Sequence, residues 1–406
     1  MADEARRSRT RRTVLKTGAT LGTVALAGCT ESTSDASTNS DDQSAGTGSD
    51  ADTATVTDAE STAETGTESG DDTATPSSYS VSMVPTGEVT FESVPETWVA
   101  NNGSWADMGI ALGQEPPKGV WLTGRYHTQY YDEIPGVSVD KSEMVSLYQD
   151  GVSKERFYAL DADVHVIDPN FLMNRFSGWD QSDIDEIDEE VAPLFGNSIY
   201  ASHYPWHEDY RYYSLMEGFE KLAAVFQEQE RYEAFEAVHE NFQANLAPVV
   251  PAREKRPAAA VVWGGGDEPE TFYPYIIGGG TGFKHLRDLG VKDALAETDI
   301  KDFHGSRGAI DFETLLEVDP PVLLLRGQEA KSREQFQNTV VSFMEEHDTA
   351  SQLTAVQNGD VYRAGPLYQG PITNLVVTQR LATTLYDTDA QLYDPQRVGD
   401  IVTGEF

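Results

Sequence analysis

From Tyr79 onward, apolar residues along this chain come in recurring short runs. Residues 98–100, 120–122, 164–167, 198–200, 258–263, 322–325 and 361–362 form such runs, and each predicts a buried strand. Between most of them the spacing turns helical, as over 105–112 and 154–160. Alternating strand and helix predicts an α/β fold with a parallel sheet covered by helices. Near the middle, Leu222, Val225, Phe226, Phe235, Val238, Phe242 and Leu246 keep helical spacing over 215–250, with a break around Gln229 and Glu230. The stretch 253–257 ends that helix, and a strand follows. The reading is two α/β lobes, 80–228 and 257–406, joined by a long helix over 229–256. An internal echo supports two lobes: residues 153–164 can be laid over 311–322, each a short helix, a turn containing Asp and a buried strand. Ser153 and Asp311 are good N-cap types, and Glu155 and Glu313 stand in the first turn, where the helix dipole favours acids.

Before Tyr79 the pattern is absent. Residues 30–79 are almost wholly Ser, Thr, Asp, Glu, Ala and Gly, with twelve acids and no Lys or Arg. Such a segment cannot bury enough apolar surface to offset its ordering entropy, so it predicts a disordered tether, extended by its own charge. Residues 1–29 read as a targeting signal. Arg11 and Arg12 stand at twin-arginine spacing, and a short apolar run follows over 14–27, too short to cross a bilayer. The run ends in Leu26-Ala27-Gly28-Cys29, which resembles a lipobox, making Cys29 the expected lipidation site and membrane anchor. Cys29 is the only cysteine, which excludes an internal disulfide.

Charge changes the picture next. The chain has 68 acidic and 29 basic residues, net −39. Residues 80–406 hold 54 of the acids and 23 of the bases, leaving −31 on the folded part. That surface repels nucleic acid and anionic lipid, and nucleic acid is excluded as a partner. Acid spread along the whole chain suits a protein kept hydrated in concentrated salt, and an extreme halophile is the expected source.

Several segments, in order, resemble the iron-siderophore and cobalamin binding proteins of ABC importers. Phe91-Glu92-Ser93-Val94-Pro95-Glu96-Thr97-Trp98-Val99 is similar to the family's first strand after a Val-Pro turn. Trp105-Ala106-Asp107-Met108, leading to Ala111-Leu112-Gly113, resembles its first helix. The stretch 157–167, FYALDADVHVI, is similar to the family's turn and strand, with Asp161 and Ala162 where lysine and proline are usual. Gly359-Asp360-Val361-Tyr362 and Leu392-Tyr393-Asp394-Pro395 resemble the closing strand and segment. The resemblance spans nearly all of 88–398. It implies two Rossmann-like lobes bridged by one rigid α-helix, with the ligand cleft between lobes, in an exported, haloarchaeal-like twin-arginine lipoprotein on the outer face of the cytoplasmic membrane. It implies capture of a ferric siderophore or similar bulky chelate, with no cofactor and no catalysis. It also implies an ABC permease and its ATPase as partners, with Glu155 and Glu313 matching the glutamates that dock the permease.

Ligands of open α/β sheets lie beyond the carboxyl ends of the strands. That rule puts Trp105, Arg125, Tyr126, Asn170, Tyr204 and Trp206 of the first lobe, and Trp263, Tyr275, Arg326 and Tyr368 of the second, in the candidate cleft. Trp and Tyr offer rigid contact area with a polar edge, and Arg offers a fork for anionic or carbonyl oxygens. For each aromatic the competing reading is packing within its own lobe. Gly278-Gly279-Gly280-Thr281-Gly282 lacks the Lys-Ser/Thr of a phosphate loop and reads as a flexible loop or a close ligand approach. His203, His207 and Glu208 do not form a metal motif, because Pro205 breaks any helix between them. Three alternatives remain open: a cobalamin or haem carrier of the same class, an extracellular lipid-anchored hydrolase using paired carboxylates, and a ligand sensor. No GxSxG motif supports the hydrolase.

Overall fold

The computed structural model describes residues 78–149, 151–175, 178–202 and 204–406. The expected signal with Cys29, the tether up to residue 77, and His203 lie outside the described residues.

The described chain opens with an antiparallel hairpin, β1 (Tyr79–Met83) and β2 (Gly87–Phe91). The first lobe follows: β3 (Trp98–Ala100), α1 (Gly103–Ala111), β4 (Gly119–Val120), β5 (Val145–Ser146), α2 (Lys154–Leu160), β6 (Val164–Val166), α3 (Pro169–Arg175) and α4 (Gln181–Glu190). Its four strands are parallel, in the order β5-β4-β3-β6. Two helices then run in succession, α5 (Leu215–Phe226) and α6 (Gln229–Leu246). A reciprocal capping box between Ser214 and Glu217 starts α5, and Gln227, left-handed at φ 55°, ends it. The second lobe holds β7 (Ala258–Trp263), β8 (Tyr273–Tyr275), α7 (Lys284–Asp288), β9 (Lys292–Asp293), α8 (Phe303–Ser306), α9 (Phe312–Val318) and β10 (Val322–Arg326). α10 (Arg333–Phe336) continues through a π-helical stretch into α11 (Ser342–Glu346), then α12 (Thr354–Asn358), β11 (Val361–Arg363), α13 (Pro371–Tyr386) and α14 (Pro395–Thr403). Its sheet runs β11-β10-β7-β8, with β9 sharing the β7 edge with β8; β8 alone is antiparallel.

Strand period decides where the core lies. Trp98, Ala100, Val164 and Val166 point to one face, as do Ala259, Val261 and Leu324 in the second sheet, and all belong to one continuous cluster. The intervening residues serve separate cores: Val99 joins Trp121, Leu147 and Phe157, whereas Ala260, Val262, Leu323 and Leu325 join Phe312, Phe336 and Met344. Helices α1, α5, α6 and α13 supply the middle of the shared cluster. The bridging helix α6 serves both lobes. Its Arg231 donates to the Ile401 carbonyl at 3.0 Å and its Phe235 meets Phe219 of α5, while Gln243 donates to Asp288 of α7 at 3.0 Å.

The echo between lobes is real in three dimensions. α2 and α9 are each seven residues long, each closes on an Asp in the left-handed region (Asp161 at φ 46°, Asp319 at φ 43°), and each feeds a parallel strand, β6 at the end of its sheet and β10 inside its own. The caps differ, since Asp311 accepts from the Thr314 N–H whereas Ser153 makes no capping bond. One expected strand is absent. Residues 198–200 are buried but unladdered: the Ser198 N–H donates to the Tyr210 hydroxyl at 2.8 Å, and the Ile199 carbonyl accepts from Thr281 of the second lobe at 2.9 Å.

Candidate functional site

Three elements end at one cavity of about 200 Å³ between the lobes. Trp263 closes β7 and Arg326 closes β10, and the two are register partners on adjacent strands. Tyr275 closes β8. From the first lobe, Arg125 and His127 arrive on the 3₁₀ segments that follow β4, and Tyr368 and Leu367 come from the loop before α13. Gly327 makes the turn out of β10 at φ +85°, and a Cβ there would lie 2.6 Å from the Trp263 indole nitrogen. Glycine therefore lets the Trp263 ring lie flat on the loop.

Arg326 is the unusual member. It is 1% exposed, its Nη2 donates to the Gly282 carbonyl, and its Nε and Nη1 have no partner among the described residues. Its guanidinium lies 4.5 Å from the Phe283 ring centre and 5.3 Å from that of Tyr275. Burial pulls it below its usual pKa range, while Tyr275, Glu329 and Asp302 pull the other way. Arginine cannot shed its proton in a protein, so the site keeps a buried cation with unused donors. The nearby carboxylate is committed elsewhere: Glu329 accepts from the Gly327 N–H at 2.9 Å, and burial holds its pKa above the usual range. His127 Nε2 lies 3.8 Å from Glu329. Burial, then Lys141 and Arg125, lowers the His127 pKa to about 4, so at neutral pH this contact joins an uncharged ring to a carboxyl and is no ion pair.

Behind Tyr368 an aromatic cluster is packed into the first lobe's core. Tyr368 meets Tyr200 at 5.3 Å, Tyr200 meets Tyr204 at 6.2 Å, and Tyr204 stacks on Trp206 at 4.3 Å. His304 joins Tyr204 to Tyr275, with ring centres 5.2 and 5.1 Å away. The whole array is a cationic pocket with flat apolar sides, suited to an anionic ligand that presents rings or carbonyl oxygens.

Of the residues expected in the cleft, Arg125, Trp263, Tyr275, Arg326 and Tyr368 line this cavity, whereas Tyr204 is buried in the first lobe's own core with Trp206 stacked on it. Trp105 is fully buried in the shared core, its indole N–H donating to the Asn197 carbonyl at 3.2 Å. Tyr126 is also a core residue, its hydroxyl 2.8 Å from that of Tyr131. Asn170 lines a different hollow, beside Pro85 and Asp185. His127, Gly327 and Glu329 escaped the reading, although the strand-end rule that selected Arg326 extends to the loop of the next three residues, Gly327 to Glu329. A Cβ on Gly280 would press into the Tyr200 carbonyl and one on Gly282 into that of Leu367, so the glycines let the two lobes touch through backbone. His207 is stacked on Tyr210 at 4.1 Å, and the described residues hold no His, Cys, Asp or Glu cluster arranged for a metal ion. Glu155 and Glu313 are exposed at the starts of α2 and α9, and Glu313 accepts from the Thr349 hydroxyl at 3.1 Å.

Residues 99–368 match a family model described as periplasmic binding protein. Among solved structures the chain is similar to a periplasmic binding protein from Veillonella parvula, at 14% identity and TM-score 0.51, over 77% of this chain and 98% of that one. It is similar to a periplasmic solute binding protein from Mycobacterium smegmatis, at 18% identity and TM-score 0.51, over 75% and 97%. A third is the periplasmic catecholate-siderophore binding protein VctP from Vibrio cholerae, at 18% identity and TM-score 0.50, over 77% and 100%. At these identities the likeness is one of fold. No curated protein sequence matches the chain.

Proposed function

This chain belongs to the periplasmic binding protein family, and we propose that it captures a Fe(III)-siderophore or similar anionic chelate outside the cell and passes it to an ABC permease and its ATPase. The observation that carries this reading is the buried Arg326 with two unused nitrogens at the floor of an aromatic pocket. A buried donor left without a partner costs roughly 1–3 kcal/mol, more when charged, and a ligand oxygen recovers that cost on binding. Ferric catecholates carry net negative charge on flat rings, which answers the guanidinium and the Trp263, Tyr275 and Tyr368 faces together. VctP, which shares the fold, is a catecholate-siderophore binding protein, in keeping with this reading. A cavity of about 200 Å³ is below the range of roughly 300–1,000 Å³ usual for enclosed ligand sites. It would hold the charged end of such a ligand, against the Trp263, Tyr275 and Tyr368 faces that line it.

The test is titration of intrinsic tryptophan fluorescence with a ferric catecholate, a ferric hydroxamate, haem and cobalamin. Saturable quenching by a ferric chelate is expected, and Arg326→Met should weaken it about 10–100-fold, equivalent to about 1.5–3 kcal/mol. Equal affinity in the variant, or saturation by cobalamin alone, would overturn the reading. The same proposal includes export by the twin-arginine pathway and anchoring through lipid on Cys29. Cys29→Ser should release folded protein into the medium; its retention in washed membranes would count against the anchor.

A further inference from the structure

A second cavity, of about 250 Å³, shares no lining residue with the cleft. It lies along β11, the outer strand of the second sheet, between that strand, α10 with its π-helical continuation, and α13. Three arginines converge on it: Arg333, Arg363 and Arg380. In a chain with 68 acids and only 29 bases, three cations round one hollow are the opposite of what composition would place there.

Their charges are poorly matched by the protein. Arg380 alone has a carboxylate, Glu133, with Nε to Oε1 at 2.7 Å, and it lies 4.9 Å over the Tyr130 ring. Arg363 donates to the Lys331 carbonyl, a neutral group. Arg333 is exposed, and no ion pair joins it or Arg363 to an acid among the described residues. Burial first pulls the Arg363 guanidinium below its usual pKa range, and the charges of Arg380 and Arg333 add to it against Tyr130 and Glu329. The lining also has an apolar part, Phe336, Val377 and Leu381.

We propose that this cavity is a second ligand site, taking a small di- or tricarboxylate whose carboxylates meet the arginines and whose carbon skeleton lies on the apolar part. Planar guanidinium forks match carboxylate and phosphate geometry alike. The apolar part separates the two, because inorganic phosphate has no carbon to bury there.

The experiment is isothermal titration of the intact protein with iron-free citrate at one fixed ionic strength, since exposed charge is screened by salt. One-to-one binding is expected. Arg333→Gln with Arg363→Gln should weaken it at least about tenfold, because a hydrogen bond to a charged group contributes that order of affinity. Arg326→Met, which alters only the cleft, should leave it unchanged. Should the double variant fail to fold, Arg333→Gln alone alters an exposed side chain and should still weaken binding severalfold. Unchanged affinity in the arginine variants, loss of citrate binding in Arg326→Met, or inorganic phosphate binding as tightly as citrate would each overturn the proposal. So would the absence of saturable heat. Because ferric chelate binding is read separately in the cleft, neither result decides the other.

Discussion

Arg326 sits in surroundings that suit an apolar side chain better than a charge. Its one hydrogen-bond partner among the described residues, the Gly282 carbonyl, also accepts from Gln369 at 3.3 Å, and the nearby buried Glu329 keeps its Gly327 N–H donor and sits high in pKa, so removing the guanidinium leaves no hydrogen-bonding group orphaned. Arg326→Met should therefore leave the ligand-free protein as stable as before or more so, even while it weakens ligand binding. Asp107 poses a similar question in the core. It is fully buried on α1, where its Oδ2 accepts from the Thr373 N–H of α13 at 2.9 Å, and burial raises its pKa to about 6 against the hydrogen bonds of Thr373 and Tyr131. A carboxyl whose folded pKa is raised binds its proton more tightly in the folded state. Its favourable contribution is complete below the unfolded value near 4, falls as pH rises, and is gone above about 6. Asp107→Asn keeps the acceptor for Thr373 and removes the charge. It should stabilise the protein by about 1–3 kcal/mol at pH 7.5 and by almost nothing at pH 4, read as the difference in thermal midpoint at the two pH values. The residues that sequence reading placed well and badly differ in a physical way. Trp263 and Arg326 close strands and Arg125 lies on the 3₁₀ turn after one, so strand prediction carried them to the cavity. Trp105 and Tyr126 are amphipathic side chains whose polar ends found partners inside, at Asn197 and Tyr131, and composition does not distinguish that outcome from a ligand contact.

At the scale of elements, boundaries follow local chemistry closely. The runs at 98–100 and 258–263 became β3 and β7 without shift, because short β-branched or aromatic runs between turn formers have little else to do. The run at 198–200 has the same texture but its backbone groups are taken by Tyr210 and by Thr281 across the lobes, which no local pattern reveals. The break between α5 and α6 was legible within two residues. Its cause is Gln227 at φ 55°, a conformation that costs a residue with a side chain about 1–2 kcal/mol. Glycine removes that cost and adds back roughly 0.5–1 kcal/mol of unfolded-chain entropy. Gln227→Gly should thus stabilise by about 0.5–1 kcal/mol, seen in urea as a higher midpoint with an unchanged slope. A fall in the midpoint would mean that the Gln227 side chain, which donates to the Ala224 carbonyl at 2.7 Å, matters more than its backbone.

For the whole molecule, the exposed acids at the starts of α2 and α9 raise the question of permease docking. Glu313 already holds Thr349, whereas Glu155 has no bond of that kind in the described residues, so the two are not equivalent. In molar salt the Debye length is about 3 Å, so only direct contact would survive screening. Glu155→Gln with Glu313→Gln should leave ligand affinity unchanged and reduce uptake if both dock the permease; normal uptake would leave them as helix-terminal acids. The shared central layer has a different consequence. Since each sheet gives one face to it, and α13 and α14 return from the second lobe to pack on α1 and α6, neither half of the chain owns a complete interior. A chain opened at residues 251–257 would yield two pieces that each expose half of that layer, and they would have to find one another before either became soluble.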